Sequence, residues 1–356
     1  MINAAIVGLG GMGNLHREMI NEGSRMGKKV QDIPQWKVTG CFDVLKDRQE
    51  YGRSCGLCSY DSLEELLKDP KISMIICAAP NDCHKDIVIR SLKAGKNVIC
   101  EKPVALSVED LDEMIKTAQK TGMFFTVGQN RRWDKDYAAA KAIYEQQLIG
   151  KIYRIESRVH GSRGIPQDWR KKRGCGGGMV YDWGVHLIDQ AVEMIPEKLK
   201  YVYADLNYFT EKDVDDGFHA ELIFESGLVY FIEVGTSNFI PLPRWYMIGS
   251  EGNGIIKDWD LQGEICRVID RSQDVSAPVQ AGSGITKTMA PRVRSTVETL
   301  PLPHVSMDIS QFYNQIADVL QYGTQERIKL DQVRKTLQII EAVFESAKTH
   351  QVIPFK

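Results

Sequence analysis

Ile2-Asn3-Ala4-Ala5-Ile6-Val7-Gly8-Leu9-Gly10-Gly11-Met12-Gly13 begins the chain, a short apolar run that passes directly into Gly-x-Gly-x-x-Gly. The run reads as a buried strand, and Asn14 to Asn21 behind the glycines reads as a helix. In such a strand–turn–helix one glycine makes the tight turn, one lets the backbone approach a pyrophosphate, and one lets helix and strand pack closely. The helix start offers unpaired N–H groups and a positive dipole end to the phosphates. A glycine-rich turn alone is weak evidence. Between a strand and a helix it predicts a dinucleotide site, with Gly8, Gly10, Gly11, Met12 and Gly13 at the cofactor.

The following residues extend this turn into a doubly wound sheet. Trp36 to Phe42 is a second strand that ends at Asp43. A carboxylate there accepts hydrogen bonds from the adenosine ribose and repels a 2′-phosphate, so Asp43 favours NAD over NADP. It lies about thirty residues beyond the glycines rather than the usual twenty or so, and the polar segment Glu22 to Gln35 reads as an inserted loop. Asp43 also suits the start of a helix near Val44. Asp61-Ser62-Leu63-Glu64 has the form of a capping box for a helix to Lys68. Ser73 to Ala79 is a buried strand by its continuous apolar run. Asn81 can cap the next helix, which runs to Lys93 with His84 in its first turn. Asn97 to Cys100 is a fourth strand. Ser107 and Asp110 start a helix that ends near Thr121-Gly122, and Phe124 to Val127 is a fifth strand. This alternation implies a parallel sheet with helices on both faces. Such sheets bind ligands at the C-terminal strand ends, which places Ala79, Pro80, Asn81, His84, Glu101, Lys102 and Gln129 at the cofactor. A histidine placed like His84 is a packing or cofactor-contact residue more often than a catalyst.

Composition bounds the rest. The chain has 356 residues, 43% hydrophobic and 26% charged, with a net charge of −2. The length suggests two or three domains, and the charge argues against a protein devoted to nucleic acid. No run reaches the roughly 18 apolar residues of a membrane span. The chain enters a strand at once, without a basic leader, which argues against a secretory signal. Eight cysteines in a chain this long are not a disulfide framework. Cys41, Cys77 and Cys100 sit in apolar runs as small hydrophobes, and Cys55-Gly56-Leu57-Cys58 has no second half. A reducing cytoplasm fits this usage, and no metal is expected.

After Arg132 a helix extends to about Gln147, and the pattern changes. Lys151 to Gly161 alternates as a strand, and Tyr201 to Trp259 is mostly long strands. Residues 1–128 therefore read as a dinucleotide-binding domain and 129–356 as a second domain built on an antiparallel sheet. Arg271 to Leu300 has little periodicity and reads as a long loop or arm. Asp308 to Tyr322 and Asp331 to Thr349 are amphipathic helices that can pack back on the first domain.

The stretch Gly176-Gly177-Gly178-Met179-Val180-Tyr181-Asp182-Trp183-Gly184-Val185-His186-Leu187-Ile188-Asp189 carries a second constellation. In a helix Asp182 and His186 are i and i+4 and share a face. A carboxylate can orient an imidazole and raise its affinity for a proton, which makes a general base with an ordinary pKa of about 6.5. Asp189 falls near the same face, and Gly184 thins the helix for close packing. The spacing also suits metal ligands, without an evident partner motif, or a buried pair that holds two helices together. Hydride transfer needs a fixed nicotinamide, a carbinol carbon against it and a base for the hydroxyl proton. Lys102, next to Pro103 at a strand end, Asp182 and His186 could supply the base, with the Lys102 cation stabilising alkoxide charge. No Tyr-x-x-x-Lys lies in a suitable place.

Together these residues carry a family resemblance. The chain resembles the Gfo/Idh/MocA oxidoreductases, of the glucose–fructose oxidoreductase and inositol dehydrogenase type. The matching features are Gly8-x-Gly10-x-x-Gly13, Pro80-Asn81-x-x-His84, Ala94-Gly95-Lys96-x-Val98-x-Cys100-Glu101-Lys102-Pro103, Asn130-Arg131-Arg132, and Gly176-Gly177-Gly178 through Asp182-x-Gly184-x-His186-x-x-Asp189. The resemblance covers nearly the whole chain. It implies Lys102 and His186 as catalytic residues with Asp182 as their partner, and a sugar, cyclitol or related polyol as substrate. It also implies an NAD-binding Rossmann domain over residues 1–128 and a substrate-binding α/β domain over 129–356, whose open, mostly antiparallel sheet is often used in oligomer contacts, hence a homo-oligomer, dimer or tetramer. Further substrate candidates are Arg132, Tyr153, Arg158, His160, Arg163, Trp169 and Arg173, because aromatic faces stack on sugar C–H surfaces and arginines bind hydroxyls or carboxylates. The basic run Arg170-Lys171-Lys172-Arg173 fits an acidic sugar or a solvated loop.

The leading expectation is NAD-dependent oxidation of a secondary hydroxyl of a sugar, sugar glycoside or inositol. A second is an enzyme with tightly held, internally recycled NAD that forms a transient 3-keto sugar during glycoside cleavage or epimerisation. A third is a non-catalytic sugar- or nucleotide-sensing regulator, against which intact Lys102, Asp182 and His186 speak.

Overall fold

The structure is a computed structural model that describes residues 1–272, 274, 278–287 and 292–355. Its first sheet is built from β1 (Ile2–Val7), β2 (Trp36–Phe42), β3 (Cys58–Ser59), β4 (Met74–Cys77), β5 (Asn97–Cys100) and β6 (Phe125–Val127). The strand order is β3-β2-β1-β4-β5-β6 and every pair is parallel. The order reverses between β1 and β4, so a crevice opens at the C-terminal ends of these two strands. Ala4, Ala5, Ile6 and all of β4 are 0% exposed. Helices cover both faces, and that double coverage is why these strands read as continuous apolar runs rather than alternating ones.

The helices between them are α1 (Gly11–Arg17), α2 (Lys46–Ser54), α3 (Leu63–Lys68), α4 (His84–Lys93) and α5 (Val108–Thr121). The first begins on the glycines themselves, three residues before its expected start, and continues as a π-helical turn over Glu18–Glu22. Ser62 and Ser107 accept from the N–H groups of Glu65 and Asp110, as N-caps do. The inserted segment holds a short hairpin that pairs Ser24–Arg25 with Lys28–Lys29.

Beyond α6 (Lys135–Glu145) a nine-stranded sheet forms from β7 (Ile152–His160), β8 (Leu199–Asn207), β9 (Gly217–Phe224), β10 (Val229–Gly235), β11 (Trp245–Gly249), β12 (Gly252–Ile256), β13 (Gly263–Val268), β14 (Val297–Leu300) and β15 (Ile353–Pro354). Its order is β14-β13-β12-β11-β7-β10-β9-β8-β15. The pairs are antiparallel except β7 with β10. In β9, Phe218, Ala220, Leu222 and Phe224 are buried while His219, Glu221 and Ile223 between them are half-buried. One face of this sheet therefore packs under α7 (Val185–Met194) and α9 (Leu330–Thr349), and the other is open. The molecule is thus α/β, with a parallel Rossmann sheet and a mixed, largely antiparallel second sheet.

Two expectations change here. The stretch Arg271 to Leu300 is not simply a loop. It holds a hairpin of Val279–Gly282 with Ile285–Lys287, and β14, which adds an edge strand to β13 from Val268↔Val297 to Ile265↔Leu300. Four residues on a sheet edge are too few for a period to emerge. Positions 273, 275–277 and 288–291 of that stretch lie outside the described residues. The helix expected to carry Asp182 and His186 is in fact a π-helical turn, Val180–Gly184, followed by α7.

The last helices, α8 (Ser310–Tyr322) and α9, reach back to the first sheet. Trp36 Nε1 donates to the Tyr313 carbonyl at 2.9 Å, and Arg334 binds the Asp112 carboxylate at 2.7 and 3.0 Å. All eight cysteines are unpaired. Among the described residues no helix is long and apolar enough to cross a membrane.

Candidate active site

Gly8 ends β1 with φ +91°, and a Cβ there would lie 2.6 Å from the Ala79 nitrogen at the end of β4. Only glycine holds this backbone at this distance. A Cβ on Gly13 would collide with the Gly8 carbonyl oxygen, so helix and strand meet backbone to backbone. Nothing lies within 4 Å of the space beside Gly10 and Gly11. Asp43 closes the arrangement: Oδ2 accepts from Leu9 N–H at 2.8 Å and Oδ1 from Leu45 N–H at 2.9 Å. A carboxylate with one bond on each oxygen keeps lone pairs for ribose hydroxyls. Open space over the glycines, a helix N-terminus and a carboxylate tied to the turn fit a dinucleotide.

The other residues read as cofactor contacts separate into two groups. Met12 and Ala79 are half-buried and Pro80 is exposed at the crevice. Asn81, His84, Glu101 and Gln129 are 4%, 0%, 4% and 1% exposed. Asn81 does not cap α4; its amide donates to the Gly176 carbonyl at 3.3 Å. The two ring nitrogens of His84 lie 3.0 and 2.9 Å from the carbonyl oxygens of Pro103 and Ala79, so the ring ties the two strand-end loops together. Its ligating atoms and those of Cys77 and Cys100 fall within 4.8 Å of one another. Burial pushes the pKa of His84 down, and a neutral ring donates through its single N–H to one of these two carbonyls. Gln129 Oε1 is buried without a partner.

Glu101 faces away from the crevice. Its Oε1 lies 2.9 Å from His16 Nε2, and Oε2 accepts from Lys102 N–H at 3.3 Å. His16 Nδ1 in turn lies 2.7 Å from the Tyr313 hydroxyl. Burial pushes the Glu101 carboxyl up, but His16 and Lys102 outweigh it and hold it below the usual carboxylate range. The chain Tyr313–His16–Glu101 thus braces the backbone of Lys102 from behind. His16 had no local signal in the sequence, since its partners are 85 and 297 residues away.

Lys102 stands at the end of β5, joined to Pro103 by a cis peptide. Its Nζ donates to Asp182 Oδ1 at 3.0 Å and to the Asp182 backbone carbonyl at 2.8 Å. Burial raises the Asp182 carboxyl, and Lys102, then Arg170, more than offset it and hold it below its ordinary value. The expected Asp182–His186 pair does not form. The carboxylate is committed to Lys102, and His186 Nδ1 is buried without a hydrogen-bond partner. The reason is local: Asp182 lies in the π-helical turn, whose wider spiral breaks the i, i+4 stacking of an α-helix. Gly184 acts as anticipated, since a Cβ there would lie 2.7 Å from the Phe218 ring. His186 is 5% exposed. Burial, then the charges of Lys102, Arg131 and Arg244, push its pKa well below the ordinary value, so the imidazole is neutral. The Trp183 ring stands 6.1 Å from it and carries the Arg131 guanidinium at 4.2 Å. Trp183 carried no signal in the sequence, and Arg131 stood there only within the Asn130-Arg131-Arg132 motif.

The remaining substrate candidates do not gather at Lys102. Arg132 is 0% exposed; its guanidinium grips both oxygens of Asp189 at 2.7 and 2.8 Å and also donates to the Arg327 carbonyl and Gln332. That network joins the end of β6 to α7 and α9 and leaves no face for a substrate. Tyr153 is 51% exposed near the start of β7, roughly 20 Å of strand from His160. His160 accepts from Leu242 N–H, and Arg158 pairs with Glu156 and Glu233 on the open sheet face. Arg163 and Arg173 are exposed and Trp169 half-buried in the loop before the glycine triplet.

Comparisons with known proteins agree with this fold. Residues 2–129 match the model of an oxidoreductase family with an NAD-binding Rossmann fold, and residues 137–254 match the GFO/IDH/MocA C-terminal domain. The crystal structure of an NAD-binding protein from Listeria innocua aligns with a TM-score of 0.86 at 40% identity, over 99% of this chain and 96% of that one. The scyllo-inositol 2-dehydrogenase (NADP(+)) of Bacillus subtilis is 28% identical over 295 residues, 82% of this chain and 81% of the relative. The scyllo-inositol 2-dehydrogenase (NAD(+)) of the same organism is 28% identical over 261 residues, 71% of this chain and 72% of the relative. With both family models in register on the two sheets, the chain belongs to the Gfo/Idh/MocA oxidoreductases.

Proposed function

We propose that the protein is an NAD-dependent dehydrogenase that moves a hydride between a secondary hydroxyl carbon of a sugar, sugar glycoside or inositol and the nicotinamide. The observation that carries this reading is the Lys102–Asp182 pair, 3.0 Å apart at the end of β5, with a neutral His186 buried on the following turn. The inositol dehydrogenases among the relatives support a polyol substrate. Bound NAD would supply the hydride acceptor, held by the glycine turn and Asp43. The Asp43 carboxylate favours NAD because it repels a 2′-phosphate; relatives named for either cofactor stand at equal identity.

Lys102 spends two of its three ammonium N–H groups on Asp182. The third is free for the carbinol oxygen and stabilises alkoxide charge as hydride departs. The neutral His186 imidazole takes the hydroxyl proton. Asp182 keeps Lys102 aimed. Residues 1–128 would serve the nucleotide and 129–356 the substrate and subunit contacts. The open face of the second sheet has a depression of about 480 Å³ lined by Arg158, His219, Phe231 and Glu233. It would join protomers into a dimer or tetramer, which light scattering of the purified protein tests.

The decisive assay follows NADH absorbance with purified protein, NAD or NADP, and a panel of inositols, hexoses, uronates and glycosides. NADH formation with at least one of them is expected, faster with NAD than with NADP. Glycoside cleavage without net NADH would replace this reading by internally recycled NAD. Failure to bind either dinucleotide would remove both.

A further inference from the structure

Asp182 touches a second cation that the sequence reading left in a solvated loop. Arg170 Nε lies 3.4 Å from Asp182 Oδ2, on the carboxylate oxygen that Lys102 does not use. The carboxylate is thus bracketed by Lys102 from the first sheet and by Arg170 from the loop that precedes the glycine triplet.

The loop is built to hold Arg170 in place. Trp169–Lys171 is a 3-10 turn capped by Asp168, whose Oδ1 accepts from the Arg170 N–H at 2.9 Å. Asp168 Oδ2 accepts from Arg170 Nη1 at 2.7 Å, and the Trp169 ring lies under the guanidinium at 4.6 Å. Behind it the Arg170 carbonyl accepts from the Gly178 N–H at 3.0 Å. A Cβ on Gly177 would collide with that same carbonyl oxygen. The glycine triplet therefore serves as a seat for the Arg170 backbone, one turn before Asp182 in the chain. Backbone, side chain and ring contacts all converge on one guanidinium, which is more than a solvated loop requires.

We propose that Arg170 is a positioning residue for the Lys102–Asp182 pair, fixing the carboxylate rotamer and with it the direction of the Lys102 ammonium. The proposal rests on the dehydrogenase reading for its link to turnover, but its contact with Asp182 stands without it. The charges acting on Asp182 are Lys102 and Arg170, the latter with its partner Asp168; its own segment also carries Tyr181 and His186, and Asp215 accepts from the Val180 N–H at 2.8 Å. Only Lys102 and Arg170 of these meet the carboxylate directly.

The test is a carbon-13 NMR titration of the full chain with labelled aspartate carboxyls and NAD present, Asp182 being assigned by its loss in Asp182→Asn. Removing an opposite charge at this distance should raise the Asp182 midpoint by about one pH unit or more in Arg170→Gln. Arg170→Lys, which keeps the charge, should restore most of it. In the NADH assay Arg170→Gln should lower kcat about ten- to a hundredfold through misdirected Lys102, with NAD affinity unchanged. An Asp182 midpoint in Arg170→Gln that coincides with wild type overturns the proposal. If wild-type protein oxidises nothing in the panel, the activity reading fails while the titration still decides the role of Arg170.

Discussion

Lys102 Nζ holds Asp182 twice, through the carboxylate at 3.0 Å and through the backbone carbonyl at 2.8 Å. The two residues are 80 positions apart, one just past the end of β5 and the other in the π-helical turn Val180–Gly184. A double grip of this kind sets direction as well as distance. It points the third N–H of the ammonium along one line only.

Lys102→Ala should therefore lower turnover about a hundred- to a thousandfold, the usual loss when one fixed donor to a developing oxyanion is removed. Affinity for NAD should stay the same, because the glycine turn and Asp43 do not depend on the lysine. Steady-state kinetics and calorimetric titration with NAD check the two halves. Wild-type turnover in this variant would take Lys102 out of the chemistry.

His186 predicts a pH profile. Burial and the neighbouring cations depress its pKa well below the ordinary value, and a base is active only when deprotonated. The acid-side fall of kcat/KM should thus lie well below about 6.5, where an unperturbed histidine titrates. The rate should stay level from about pH 6.5 to 8 as far as this group is concerned. His186→Ala should lose most of the rate and that acid limb together. A limb at or above the ordinary histidine value would assign the proton to another group.

Asp43 is bonded to the turn it serves, through the Leu9 N–H. Asp43→Ala removes a charged acceptor from the ribose and leaves that N–H without its partner. A hydrogen bond to a charged group contributes about 1.5–3 kcal/mol, so NAD affinity should fall about tenfold or more. NADP should lose less, because the repulsion of its 2′-phosphate disappears with the carboxylate. Dissociation constants for both dinucleotides measure the ratio; an unchanged ratio would mean that Asp43 does not select the cofactor.

Arg132 separates a structural from a substrate role. Burial alone works against its cation, and the Asp189 carboxylate more than offsets that and holds it charged. Arg132→Ala would leave Asp189 buried without its partner, which costs about 3–5 kcal/mol. Urea unfolding should show that loss, while KM of the folded fraction stays near wild type. A stable variant with a raised KM would return Arg132 to the substrate.

Much of this protein was legible in the linear chain. A buried strand, a glycine turn and a helix leave local marks, because each is made by residues adjacent in sequence. Ser62 and Ser107 announced their helices for the same reason, since a cap bonds three residues ahead. Lys102 was visible from its place after an apolar run, and Asp182, Gly184 and His186 from their spacing.

What local pattern could not carry were partners and facing. Asp182 sits in a π-helical turn, a state with no strong sequence mark, and so bonds Lys102 rather than His186. Glu101 and Arg132 look like site residues by position, yet His16 and Asp189, distant in the chain, bury them. Arg170 reads as one basic residue among four until the glycine triplet seats it against Asp182. The sequence alone determined which chemical groups exist and which strand ends present them, because hydrophobic period and turn chemistry are short-range. Tertiary structure alone decided which charges are paired and which stay free for a substrate, because a buried charge takes its partner from whatever the fold brings within a few ångströms.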